Sequence, residues 1–172
     1  TKDLKINRLT LERYLFLLEQ TFIIKRVPSF FTNRKKEIVK MHKVYFEDTG
    51  LRNLIINNFN PFPTRGDIGG LLENTVYSQI SKNKNPLESI HYWRTQSKNE
   101  VDFIMRKNEQ ELIPIEVKYQ PFDMPHIPSG IKSFINDYNP KKALVLTKEY
   151  FAKASYQKTE VSFLPCWAFL QA

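Results

Sequence analysis

A single cysteine, three scattered histidines and five glycines already exclude several classes of protein for this chain of 172 residues. Cys166 alone cannot build an internal disulfide framework, and a free thiol fits a reducing compartment. It lies in the apolar run Phe163-Leu164-Pro165-Cys166-Trp167-Ala168-Phe169-Leu170, which predicts a small buried hydrophobe rather than a nucleophile. His42, His91 and His126 are too far apart in sequence to suggest a zinc site. No apolar stretch approaches the roughly 18 residues needed to span a membrane. No signal-like segment leads the chain, so a soluble cytoplasmic protein with no membrane partner is the expectation. The start at Thr1, close to a helical segment, suggests a piece of a longer polypeptide. Internal repeats and low-complexity segments are also lacking.

Aromatic and basic residues, by contrast, are plentiful. Thirteen Phe, eight Tyr and two Trp supply enough apolar area to offset chain entropy and exclude disorder. Lys and Arg number 26 against 18 acids, giving a net charge of +8. That excess favours a polyanionic partner, most often nucleic acid, and says nothing about fold.

The order of elements suggests two parts. Thr10 reads as the N-cap of a helix bearing Tyr14, Leu15, Leu17 and Leu18. Phe22–Val27 and a run around Lys43-Val44-Tyr45-Phe46 read as strands on either side of a basic loop, Asn33-Arg34-Lys35-Lys36. Asp48 or Thr49 can cap a short helix through Leu51, Leu54 and Ile55. Helix followed by a hairpin with a basic tip matches the back half of a winged helix, so residues 1–60 are expected to form a partial winged-helix-like segment. The break Asn57-Asn58-Phe59-Asn60-Pro61-Phe62-Pro63 marks the expected boundary.

Residues 61–172 read as a second unit. Ile68, Leu72, Val76 and Ile80 recur at helical spacing between Asp67 and Ser81. Three strands are expected at Ile90–Thr95, Glu100–Arg106 and Glu111–Tyr119, separated by short polar breaks. A helix bearing Ile131, Phe134, Ile135 and Tyr138 follows. Then comes an apolar strand, Lys142–Thr147, suited to burial on both faces. A last strand near Val161–Leu164 or Cys166–Leu170 completes the pattern. The fold class is α/β: an αβββαβ core with a mixed central sheet flanked by helices.

Strand geometry joins three short motifs. In Ile113-Pro114-Ile115-Glu116-Val117-Lys118 the alternation of faces sends Glu116 and Lys118 the same way, about 6.6 Å apart along the strand. Ile115, Val117 and Tyr119 line the opposite, core-facing side. Charges in the middle of a strand are costly unless they pair or bind something. Glu100 and Asp102 share a face by the same rule, and a hairpin between the two strands brings Asp102 close to Glu116. Facing carboxylates repel, and an all-oxygen set suits Mg²⁺ or Mn²⁺ better than zinc. Glu73, on the margin of its helix stripe, offers an outer ligand.

These residues resemble a known family. Gly70-Leu71-Leu72-Glu73-Asn74-Thr75-Val76-Tyr77, Tyr92-Trp93-Arg94-Thr95, Glu100-Val101-Asp102-Phe103 and Ile115-Glu116-Val117-Lys118 look like the C-terminal region of certain bacterial and archaeal AAA+ ATPases. That region is a domain family of unknown function, similar to the PD-(D/E)XK nuclease superfamily. The resemblance implies a restriction-endonuclease-like core and a Mg²⁺- or Mn²⁺-dependent phosphodiesterase. Glu73, Asp102 and Glu116 would be its metal ligands, and Lys118 would complete the catalytic quartet. It also implies an ATPase module in the same longer polypeptide. No Gly-rich phosphate loop is present, so this piece is expected neither to bind nor to hydrolyse ATP. The alternative is a catalytically silent module that binds nucleic acid or protein for the parent ATPase.

Nucleic acid, DNA rather than RNA, is the expected polyanion, with Arg34, Lys35, Lys36 and Arg94 as its contacts. Binding of that kind weakens steeply with salt, because displaced counterions dominate the affinity. Replacing Arg34, Lys35 and Lys36 together by Ala should flatten the salt dependence measured by fluorescence anisotropy. An unchanged slope removes these residues from the interface.

Overall fold

A computed structural model describes residues 6–31 and 41–171. Arg34, Lys35 and Lys36 lie outside the described residues. The first helix, α1 (Arg8–Gln20), starts earlier than Thr10. Asn7 is its N-cap, and its side chain accepts the Thr10 backbone N–H at 2.7 Å. Thr10 therefore sits inside the first turn, where its amide is the donor that the cap satisfies. None of the side chains on α1 is buried. Arg26 ties the helix down instead, through Glu12 at 2.8 Å and Glu19 at 2.9 Å.

β1 (Ile24–Val27) and β2 (Lys43–Phe46) form an antiparallel ribbon in which Val27 faces Lys43 and Ile24 faces Phe46. Phe22, expected to open β1, is 81% exposed and has φ 57°, so the strand begins two residues later. Asp48 caps α2 (Thr49–Ile55) by accepting the Leu51 N–H at 2.6 Å. The segment at 57–67 is pinned by charge. Arg65, only 7% exposed, bonds both carboxylate oxygens of Asp67 at 2.9 Å, and Arg52 of α2 reaches the same carboxylate at 2.8 Å.

The rest is one mixed sheet of six strands: β3 (Ser89–Arg94), β4 (Glu100–Arg106), β5 (Leu112–Lys118), β6 (Lys142–Thr147), β7 (Ala152–Tyr156) and β8 (Thr159–Pro165). Their spatial order is β3-β4-β5-β6-β8-β7. The β3-β4-β5 meander is antiparallel, β6 runs parallel to both β5 and β8, and β7 closes the edge antiparallel to β8. β7 carries none of the usual turn signals, because its hairpin turns through Gln157 at φ 53° rather than through Gly or Asn. Residues 166–170 are not a strand. Pro165 ends β8, and α5 (Cys166–Leu170) follows it.

A helix covers each face of this sheet. α3 (Ile68–Asn83) lays Leu72, Val76, Tyr77 and Ile80 on Phe103, Ile115 and Leu146, with Val27 and Tyr45 in the same cluster. α4 (Ser129–Tyr138) presses Ile131, Phe134 and Ile135 onto Val101, Ile104, Val145 and Phe163 from the other side. Successive residues of β6 alternate between these two layers, which explains its unbroken apolar run. The free Cys166 is buried in the first layer, and burial pushes its thiol up to about 11.

α4 approaches the sheet so closely at its start that only glycine fits there. A Cβ on Gly130 would lie 1.9 Å from the Glu100 carbonyl oxygen. Gly130→Ala should therefore force α4 off β4 and cost about 1–3 kcal/mol, read as a lower urea midpoint with the slope unchanged.

Candidate functional site

The register of β4 and β5 runs as a normal ladder from Arg106↔Leu112 to Phe103↔Ile115. Beyond Phe103 side chains take over from the backbone. The Val117 N–H donates to Asp102 Oδ2 at 2.9 Å, and the Asp102 N–H donates to Glu116 Oε2 at 3.2 Å. Each carboxylate thus satisfies a backbone donor next to the other, which fixes both where the strands part. A bulge in the β3-β4 pairing between His91 and Trp93 accompanies this change.

Glu116 is 5% exposed, and Lys118 reaches its Oε1 at 2.7 Å while remaining partly open to solvent. Ile115 is buried in the α3 layer with Val117 and Tyr119 packed beside it, as the alternation requires. Glu73 of α3 arrives from above the sheet. It accepts the Tyr45 hydroxyl at 2.5 Å. Asp102, Glu116 and Lys118 are bonded to one another, and Glu73 joins them through a shared partner on Asp102, the Lys43 ammonium, which completes one connected cluster.

The sequence reading missed the residue at its centre. Lys43, the first residue of β2, places its ammonium 2.6 Å from Glu100 Oε1, 3.0 Å from Glu73 Oε1 and 3.3 Å from Asp102 Oδ1. It also lies 5.7 Å from the centre of the Tyr92 ring. Alternation along Lys43-Val44-Tyr45 puts Lys43 and Tyr45 on one face, a signal present in the sequence but silent until α3 is placed beside it. The side-chain amide of Asn74 makes that placement, accepting the Phe46 N–H and donating to the Phe46 carbonyl, both at 2.8 Å. Tyr45 then stacks on Tyr77 with ring centres 4.8 Å apart.

Burial works against the charge on Lys43, but Asp102 and Glu73 outweigh it and hold its ammonium above the ordinary lysine range. Burial, with the charge of Glu73, raises the Asp102 carboxyl against the pull of Lys43. Burial, with the charge of Asp102, pushes Glu116 up to about 7.

Arg94 is exposed and stands 3.5 Å from Glu100 Oε2, at the rim of the cluster. Its neighbours Tyr92 and Trp93 are buried, so their rings serve the core rather than base stacking. An open cleft of about 440 Å³ adjoins the cluster, lined by Lys43, Tyr45, Arg52, Glu73, Asn74 and Glu100.

Among the described residues no three His, Cys, Asp or Glu side chains are arranged to hold a metal ion. Their donor chemistry nevertheless fits a hard divalent cation, being carboxylate oxygen throughout. Oxygens of Glu73 and Asp102 already converge on one positive charge, the Lys43 ammonium. Among the described residues no helix is long and apolar enough to cross a membrane.

A family model described as a domain of unknown function, DUF4143, matches residues 68–169, and another, DUF8612, matches residues 1–61. Uncharacterized proteins of Mycobacterium bovis and Mycobacterium tuberculosis are each 29% identical over 103 residues, covering 59% of this chain and 23% of theirs. An uncharacterized protein of Haemophilus influenzae is 23% identical over 158 residues, covering 92% of this chain and 36% of that protein. The chain thus spans between about a quarter and a third of the length of these curated relatives. A chain from the solved complex of Thermococcus gammatolerans McrB AAA+ hexamers with bound McrC aligns with a TM-score of 0.45 at 10% identity, over 60% of this chain and 32% of that one.

A carboxyl held at about 7 in the fold and near 4.5 when unfolded binds its proton more readily in the folded state. Its contribution to stability is full below about pH 4.5 and is lost as pH rises toward 7. Glu116→Gln keeps an oxygen for the Asp102 N–H and removes that loss. The variant should be more stable than wild type at pH 8, by about 1–3 kcal/mol, with the advantage gone by pH 4. Urea midpoints across that range measure the effect.

Proposed function

The chain belongs to the DUF4143 family, and from the carboxylate cluster it carries we propose a nuclease-like module that acts on nucleic acid within a larger AAA+ ATPase. The convergence of Glu73, Asp102, Glu116 and Lys118 from one helix and two adjoining strands is the observation that carries this reading. The αβββαβ order supports a restriction-endonuclease-like core, and α1 with the β1-β2 ribbon is consistent with a partial winged-helix-like segment. The curated relatives extend well beyond the matched region, which leaves room for an ATPase module.

Each residue has a task set by its surroundings. Glu73, Asp102 and Glu116 would hold Mg²⁺ or Mn²⁺. An ion held there would neutralise phosphodiester charge and acidify a water. Asp102 and Glu116 are preset for this work, because each is locked by a backbone N–H near the other. Lys118 keeps one side toward solvent while bonded to Glu116, so its ammonium can hold a phosphate oxygen or orient the attacking water. Arg94 at the rim and the net charge of +8 draw the polyanion in.

One observation favours a second reading, a silent module that binds nucleic acid or protein without cutting. The Lys43 ammonium already occupies the middle of the carboxylate group. Nicking assays with Mg²⁺ and Mn²⁺ on supercoiled, linear and branched DNA, and on RNA, separate the two. Wild type should cleave and Asp102→Asn should not, since the substitution removes a charge that holds the cation. Lys118→Ala should retain metal binding while the rate falls by about 10²–10⁴. Equal cleavage by wild type and Asp102→Asn exposes a contaminant. If neither cleaves and neither binds Mn²⁺ by calorimetry, the silent reading stands.

A further inference from the structure

We infer that Lys43 is a built-in competitor for the cation position of this site, so that a divalent ion enters only when the Lys43 side chain withdraws. The inference rests on the metal-site reading above and adds a control to it.

Three carboxylates, from α3 and β4, point at a single ammonium at 2.6 to 3.3 Å. A divalent ion held by Glu73, Asp102 and Glu116 would draw on two of these three carboxylates, Glu73 and Asp102, at about 2.0–2.1 Å, and so would lie within a few ångströms of the ammonium. Two cations that close together repel strongly in a partly buried cluster. Occupation by Lys43 and by metal is therefore mutually exclusive.

Nor is Lys43 a loose surface lysine that merely strays into reach. Its strand is clamped two ways: Asn74 grips the Phe46 backbone, and Tyr45 is buried against Tyr77 and Phe103 with its hydroxyl on Glu73. The backbone of β2 is thus held still, and withdrawal is left to the flexible four-carbon stem. The cleft beside the cluster, which Lys43 itself lines together with Arg52 and Gly70, gives that stem somewhere to go. The competitor also comes from a different part of the chain than its target. Lys43 lies in the segment matched at 1–61, whereas Glu73, Glu100 and Asp102 lie in the segment matched at 68–169. Anything that shifts the β1-β2 ribbon would change the occupancy of the site.

Mn²⁺ binding to the full chain, measured by titration calorimetry, tests this directly. Lys43→Met removes the competing charge and should bind Mn²⁺ at least about tenfold more tightly than wild type, as expected when an occluded state is abolished. Lys43→Arg keeps a cation and should bind no more tightly than wild type. Without metal the Met variant should melt below wild type, and saturating Mn²⁺ should raise its melting temperature by more than it raises that of wild type. Should the Met variant not fold, Lys43→Gln makes the same comparison with its hydrogen bonds retained. In unmutated protein labelled with ¹³C-lysine, saturating Mg²⁺ should move the Lys43 Cε resonance. Equal Mn²⁺ affinity in wild type and the uncharged variant, or a Lys43 resonance unmoved at saturation, overturns the competitor and leaves the metal site standing. A folded, uncharged variant that binds no Mn²⁺, like wild type, overturns both.

Discussion

Four carboxylates gathered in a partly buried corner are the constraint on which the local architecture depends. Asp102 and Glu116 carry the strain of this grouping, because burial and the charge of a neighbouring carboxylate raise both carboxyls. Compensation comes from two lysines on different strands, Lys43 and Lys118, with Arg94 at the edge. Two backbone N–H groups, freed where β4 and β5 part, supply the rest. Docking of the β1-β2 ribbon on α3 is part of the same electrostatic solution, since it delivers Lys43.

Much of the fold was legible because its elements obey simple periods. The apolar stripe Ile68/Leu72/Val76/Ile80 and the group Ile131/Phe134/Ile135 announce α3 and α4, and both pack as that spacing demands. β2, β4 and β6 begin and end where alternation or an apolar run says they should. The errors fall where local chemistry is ambiguous. Cys166–Leu170 has strand-like composition but follows Pro165, whose fixed φ suits the start of a helix. β7, as Ala-Lys-Ala-Ser-Tyr, offers weak strand propensity and joins β8 through a turn without glycine. Asn7 gives a weaker cap signal than Thr10, which stands nearer the apolar residues of α1.

For the site, the parts legible in advance were those that share a strand or a hairpin. Glu116 with Lys118, and Glu100 with Asp102, follow from alternation alone, and the hairpin brings Asp102 to Glu116. Lys43 and Tyr45 could not be found that way. Their roles depend on a contact between β2 and α3, separated by roughly thirty residues, and no periodicity encodes such a contact. The expected remedy for facing carboxylates was a metal ion. In the structure two lysines meet these acids, Lys43 bridging Glu73, Glu100 and Asp102, and Lys118 pairing with Glu116.

Asn74 adds a consequence of a different kind. Its amide reads the backbone of Phe46 rather than any side chain. It therefore acts as a ruler laid along β2, indifferent to the identity of the residue it grips but strict about distance from it. Lys43 meets the acids because it stands three residues upstream of that mark. An insertion of one residue between them would turn Val44 toward the carboxylates and Lys43 toward solvent. Drift at this strand is thus tolerant of substitution at Val44 and Phe46 and intolerant of any change in length.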